Sequence, residues 1–127
     1  MNFFKVNGTD FGIGKVVCEI ENDIIKDLTI VGDKNIGRAL SEDENGEWYC
    51  MPYAPLIFFS SVPFEKNTQM EIDDELLDEY DISFVFHEHN DVYGTLTIND
   101  NHILINGEVR QHMNDEKLYS LEIAVDR

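Results

Sequence analysis

The chain has 127 residues, a length that suits one domain and supports a real hydrophobic core, with roughly two thirds of the unfolded surface buried on folding. Its 43% hydrophobic content, with 8 Phe, 5 Tyr and 1 Trp, is too high for a disordered chain despite the charge. The 26 acidic residues against 9 basic ones leave a net −17, which argues strongly against bare nucleic acid or an anionic membrane as partner, since both require a basic face.

Two cysteines, Cys18 and Cys50, do not make a disulfide framework. Both are expected as buried free thiols, with a single bridge as the alternative. Residues 1–12 show no charged segment followed by an apolar one, so no signal peptide is evident, and no run approaches the roughly 20 apolar residues of a membrane span. A cytoplasmic location is the default expectation.

In chain order, residues 2–6 read as a short strand, and Asn7-Gly8 suits the positive φ angles of a tight hairpin. Residues 10–21 read as one longer strand, with Gly12 and Gly14 marking a bulge or bend. Asn22-Asp23 reads as a turn. Residues 24–31 fit a helical face or a strand, and the β-branched content favours the strand. Residues 32–46 are loop-like, and Asn45-Gly46 suits a hairpin turn into a strand that starts at Trp48. Residues 56–62, LIFFSSV, are apolar on both alternating sets at their start, as in a strand buried on two sides. Residues 65–67 read as a polar link and 69–72 as a brief strand.

Residues 73–80, DDELLDEY, are the best helix candidate: Asp73 or Asp74 can cap the first turn, and Leu76, Leu77 and Tyr80 form one stripe. Residues 81–109 read as three consecutive strands, with Ile82, Phe84 and Phe86 alternating with Ser83, Val85 and His87. Asn90-Asp91 and residues 99–101 read as the intervening turns, and Asn106-Gly107 as a further one. A strand over 117–125, with Tyr119, Leu121, Ile123 and Val125 on one face, closes the chain. The pattern predicts a mostly β, single-domain antiparallel sandwich or open barrel with one short helix near 73–80, its strand order open.

Motifs for catalysis are missing. There is no G-x-S-x-G, and Gly12-Ile13-Gly14 lacks the third glycine and the βαβ context of a phosphate loop. His87-Glu88-His89 resembles the H-x-H motif of the cupin family, because alternation on a strand would turn both imidazoles to one metal ion. The following Glu and the second glycine-led motif are missing, so two surface histidines are expected. Residues 41–46, SEDENG, resemble an EF-hand loop at Asp43, Asn45 and Gly46, but Ser41 and Pro52 occupy the two anchor positions. No cofactor and no metal are expected.

The richest signal is 71–81, EIDDELLDEYD. Glu71, Asp73, Asp74, Glu75, Asp78, Glu79 and Asp81 carry negative charge with no Lys or Arg among them. On a helix, like charges three or four apart cost a few tenths of a kcal/mol per pair, so a retained field suggests steering of a cationic partner. Glu42, Asp43, Glu44 and Glu47 form a second, weaker group. The expected function is therefore a non-enzymatic acidic binding protein. Its concrete form is a bacterial immunity- or antitoxin-type inhibitor that plugs the cationic cleft of a basic, nuclease-like toxin. The alternative is a β-barrel ligand binder or enzyme whose pocket is lined by aromatic residues such as Trp48, Phe58, Phe59 and Tyr93.

Overall fold

The computed structural model describes residues 1–64, 69–112, 114 and 116–127. The expected polar link at 65–67 lies outside them. Among the described residues the chain forms twelve strands and one helix. These are β1 (Phe3–Val6), β2 (Thr9–Asp10), β3 (Lys15–Glu21), β4 (Ile24–Val31), β5 (Gly37–Glu42), β6 (Trp48–Tyr53), β7 (Leu56–Pro63), β8 (Gln69–Ile72), α1 (Asp74–Glu79), β9 (Asp81–Phe86), β10 (Glu88–Ile98), β11 (His102–Arg110) and β12 (Lys117–Asp126). All pairings are antiparallel. Ten strands make one sheet in the order β2-β1-β12-β11-β10-β9-β7-β4-β3, with β8 also on β10, and this sheet curls into an open half-barrel. The hairpin β5–β6 forms a separate sheet. No described helix is long and apolar enough to cross a membrane.

The core lines the inside of the curl. Alternate residues of the long strands meet there: Leu28 and Ile30, Ile57 and Phe59, Leu96 and Ile98, Ile103 and Ile105, Leu121 and Ile123. Phe84 stacks with Phe4 and Phe86 at centroid separations of 6.1 and 6.0 Å, and Phe86 meets Tyr119 at 5.1 Å. These rings tie β9 to β1 and β12 across the interior at ordinary aromatic spacings.

Several turns form as their residues require. Asn7 and Gly8 both have positive φ, as do Asn22 and Asp23, which fits two-residue hairpin loops that follow the strand twist. Asn99 Oδ1 accepts from the backbone N–H groups of Asn101 and His102, each at 2.9 Å. In the β5–β6 hairpin, Asp43 Oδ1 accepts from the N–H groups of Asn45 and Glu47, and Gly46 takes φ 78°.

Other segments differ from the sequence reading. The strand expected over 10–21 is two, because Asp10 Oδ1 accepts from the N–H groups of Phe4 and Gly12 and turns the chain out of the ladder at Gly12, φ 69°. The loop expected over 32–46 contains β5, which pairs with β6 from Gly37↔Tyr53 to Glu42↔Trp48. Asn90-Asp91 is not a turn but part of β10; the reversal falls at His87, φ 69°. Asn106-Gly107 lies inside β11. There Gly107 faces Gly94 of β10, and a Cβ on Gly107 would stand 2.0 Å from the Tyr93 carbonyl oxygen. The glycine answers to a close strand approach, not to a turn. In β7 only Ile57, Phe59 and Val62 are sealed, so the strand is fully buried on one face and half-buried on the other. Cys18 is half-buried and Cys50 is exposed; both are free thiols.

Candidate functional site

β8, α1 with its N-cap, and the first residue of β9 carry the seven clustered carboxylates. Asp73 is the N-cap of α1, its Oδ1 accepting from Leu76 N–H at 3.0 Å. Asp74 accepts a hydrogen bond from the Tyr93 hydroxyl on β10. Leu76, Leu77 and Tyr80 pack against the core, so the stripe read from the sequence is the face that docks the helix. The opposite face is left to the acids: Glu71, Asp73, Asp74, Glu75, Asp78, Glu79 and Asp81 are all exposed. Asp78 and Glu79 occupy the last turn, which holds no basic residue and where the helix dipole disfavours anions.

The ion pairs between described residues involve none of these seven. They are Lys26–Glu21, Arg110–Glu108, His112–Asp91 and the amino terminus with Asp126. On the Glu71 side the field is moderated, because Arg110 and Lys117 share a recess with Glu71, Tyr93 and Glu108. The guanidinium of Arg110 lies 4.0 Å from the centroid of the Tyr93 ring.

Glu42, Asp43, Glu44 and Glu47 sit at and beside the tip of the β5–β6 hairpin, all exposed. Leu40 and Trp48 on the same hairpin are 69% and 67% exposed, and Tyr49 and Met51 are exposed beside them. The hairpin is rooted near the His87 end of β9, where Tyr53 Oη lies 2.9 Å from His87 Nδ1. Helix α1 enters β9 at Asp81, its other end. The two acidic groups are therefore rooted at opposite ends of one strand, roughly 17 Å apart at the rise of an extended chain.

At the Asp81 end, a cleft of about 450 Å³ opens between α1 and the outer face of β7, β9 and β10. Sheet register explains its lining. Phe58 pairs with Ser83, and Asn90 pairs with Phe84, so alternation turns His89 and Asp91 to the side of Ser83. Ser83 Oγ lies 3.0 Å from His89 Nδ1. Beyond β11, His112 Nδ1 lies 3.2 and 3.1 Å from Asp91 Oδ1 and Oδ2. Tyr80 and Asp81 complete the helix side. Asn90 lines the same cleft but is 2% exposed; its Nδ2 donates to the Glu88 carbonyl, while its Oδ1 is buried with no donor among the described residues.

The two imidazoles of His87-Glu88-His89 do not share one face. His87 lies at the chain reversal against Tyr53, while His89 turns into the cleft against Ser83. Among the described residues no group of three or more His, Cys, Asp or Glu is placed to hold a metal ion. The four aromatic residues of the barrel-pocket reading do not converge either. Phe59 is sealed in the core, Trp48 is exposed on the hairpin, Tyr93 lines the recess with Glu71, and only Phe58 lines the cleft. Ser83, His89, Asn90, Asp91 and His112, which do converge, were not singled out together by the sequence; only the alternation of Ser83 with Phe84 hinted at their side. No protein-family model matches the chain, and neither a curated protein nor a solved structure matches it.

Proposed function

We propose that this protein is a non-enzymatic acidic binder that captures a basic protein through the exposed face of α1 and its flanks. One observation carries the reading: the seven carboxylates from Glu71 to Asp81 are exposed, and none joins an ion pair among the described residues. A surface under no functional demand gains by neutralising Asp78 and Glu79, which stand at the unfavourable end of the helix dipole and repel Asp74 and Glu75 across a turn. A field of one sign instead steers a cationic partner and raises its association rate. The exposed Trp48, Leu40, Tyr49 and Met51 of the hairpin suit the apolar anchors of such an interface, with carboxylates around them. The concrete form of the proposal is an immunity- or antitoxin-type inhibitor of a basic, nuclease-like toxin.

The test is affinity recovery from lysate at low salt, comparing wild type with D73N/D74N/E75Q/D78N/E79Q. The substitutions keep the hydrogen-bond acceptors of Asp73 and Asp74, so the helix cap and the Tyr93 contact survive. A basic protein recovered by wild type and lost in the variant supports the reading. Equal recovery by both proteins refutes it.

A further inference from the structure

We infer that the cleft between α1 and β10 is a guanidinium pocket, the seat for one arginine side chain of the partner; this rests on the capture reading above. The cleft's lining includes two carboxylates and two aromatic rings, with no Lys or Arg among the described residues that line it. Asp81 stands at its helix side and Asp91 across from it on β10. Phe58 and Tyr80 supply ring faces of the kind on which a planar cation stacks.

Arginine fits this set better than lysine. Its guanidinium is planar, presents five donors in a fixed fork and pairs with carboxylates through two parallel bonds. His112 at present donates its Nδ1–H to Asp91, and its side chain is 67% exposed. An imidazole offers Asp91 one N–H, whereas a guanidinium offers two with full charge, so the incoming cation displaces His112 outward. The pocket is about the size of a small-molecule site and lies beside the carboxylates of α1, which places it where a steered basic partner first arrives.

The probe is N-acetyl-arginine amide, with N-acetyl-citrulline amide as its neutral isostere. The readout is amide and imidazole NMR shifts of the full chain, buffered on the alkaline side of imidazole titration. The expected result is saturable shifts at Ser83, His89, Asp91 and His112 with the arginine probe, at least tenfold weaker binding by the citrulline probe, and at least tenfold weaker arginine binding in D91N. E122Q, on β12, leaves binding unchanged. Equal binding of the two probes overturns the inference whatever the variants do. So do arginine shifts spread over the acidic surface and indifferent to D91N. If the arginine probe misses the cleft while basic-protein recovery still depends on the α1 carboxylates, the pocket falls and the capture reading stands. If the probe fills the cleft while no basic protein is recovered, the cleft remains a guanidinium site and the capture reading falls.

Discussion

The sharpest structural prediction concerns the meeting of Gly94 and Gly107. A Cβ built on Gly94 would stand 2.2 Å from the Asn106 carbonyl oxygen and 2.6 Å from Gly107 Cα, and one on Gly107 would stand 2.0 Å from the Tyr93 oxygen. In each case the obstruction is backbone, so β10 and β11 must part by about 1 Å to bring the contact to the 3.0 Å floor of real structures. A separation of that size lifts adjacent ladder hydrogen bonds out of range, and two such bonds are worth about 1–3 kcal/mol. Gly107→Ala is therefore expected to cost about 1–3 kcal/mol. Gly94→Ala is expected to cost about 1–3 kcal/mol more, because Gly94 has φ 149°, a conformation that a side chain strains. Against a total stability of about 5–15 kcal/mol, either change is large. Both substitutions demand the same parting of strands, so the double mutant should fall short of the sum by about 1 kcal/mol or more. Urea denaturation followed by far-UV circular dichroism, with wild type and all three variants, measures each term. Single costs below about 0.5 kcal/mol, or a strictly additive double mutant, would refute the close approach of β10 and β11 at these glycines.

Two further outcomes follow from local environments. Dithionitrobenzoate should titrate one fast and one slow thiol. Cys50 is exposed, whereas burial pushes the half-buried Cys18 thiol up, with Arg127 opposing in part; C50S should remove the fast phase, and a fast phase that persists contradicts the assignment. Asp10 is held below the usual carboxylate range by the backbone N–H groups of Gly12 and Phe4, aided by Lys34 and Lys5. A lowered folded pKa adds stability above the ordinary carboxylate value and loses it as pH falls through the lowered one. The melting-temperature gap between wild type and D10N should therefore be open at neutral pH and close below about pH 4; a gap independent of pH argues against the charge assistance.

What the sequence made legible was local. Asn7-Gly8, Asn22-Asp23 and Asn99 specify their turns through their own φ preferences and side-chain oxygens, and Asp73 caps α1 by chemistry that spans three residues. The same residue types misled where a distant strand sets the geometry. Asn106-Gly107 has turn chemistry, yet Gly107 exists to let β10 approach, and Asn90-Asp91 stays in β10 because Asn90 pairs with Phe84 and Asp91 with Arg110. The acidic face of α1 was legible because its residues are contiguous and its apolar stripe states which side is buried. The cleft was not: Phe58, Ser83, Asp91 and His112 come from separate segments and meet only through strand register.

The central claim is that the charge on α1 acts on a partner and does not merely solubilise the chain. Stopped-flow association with the recovered basic protein, as a function of ionic strength, tests it most directly for wild type and for D73N/D74N/E75Q/D78N/E79Q. The account predicts that the wild-type association rate falls by about tenfold or more as salt rises, as steering requires. The neutralised variant should start slow and respond little to salt, while its melting temperature is equal to or above that of wild type. Matching rates and matching salt slopes for the two proteins would contradict it.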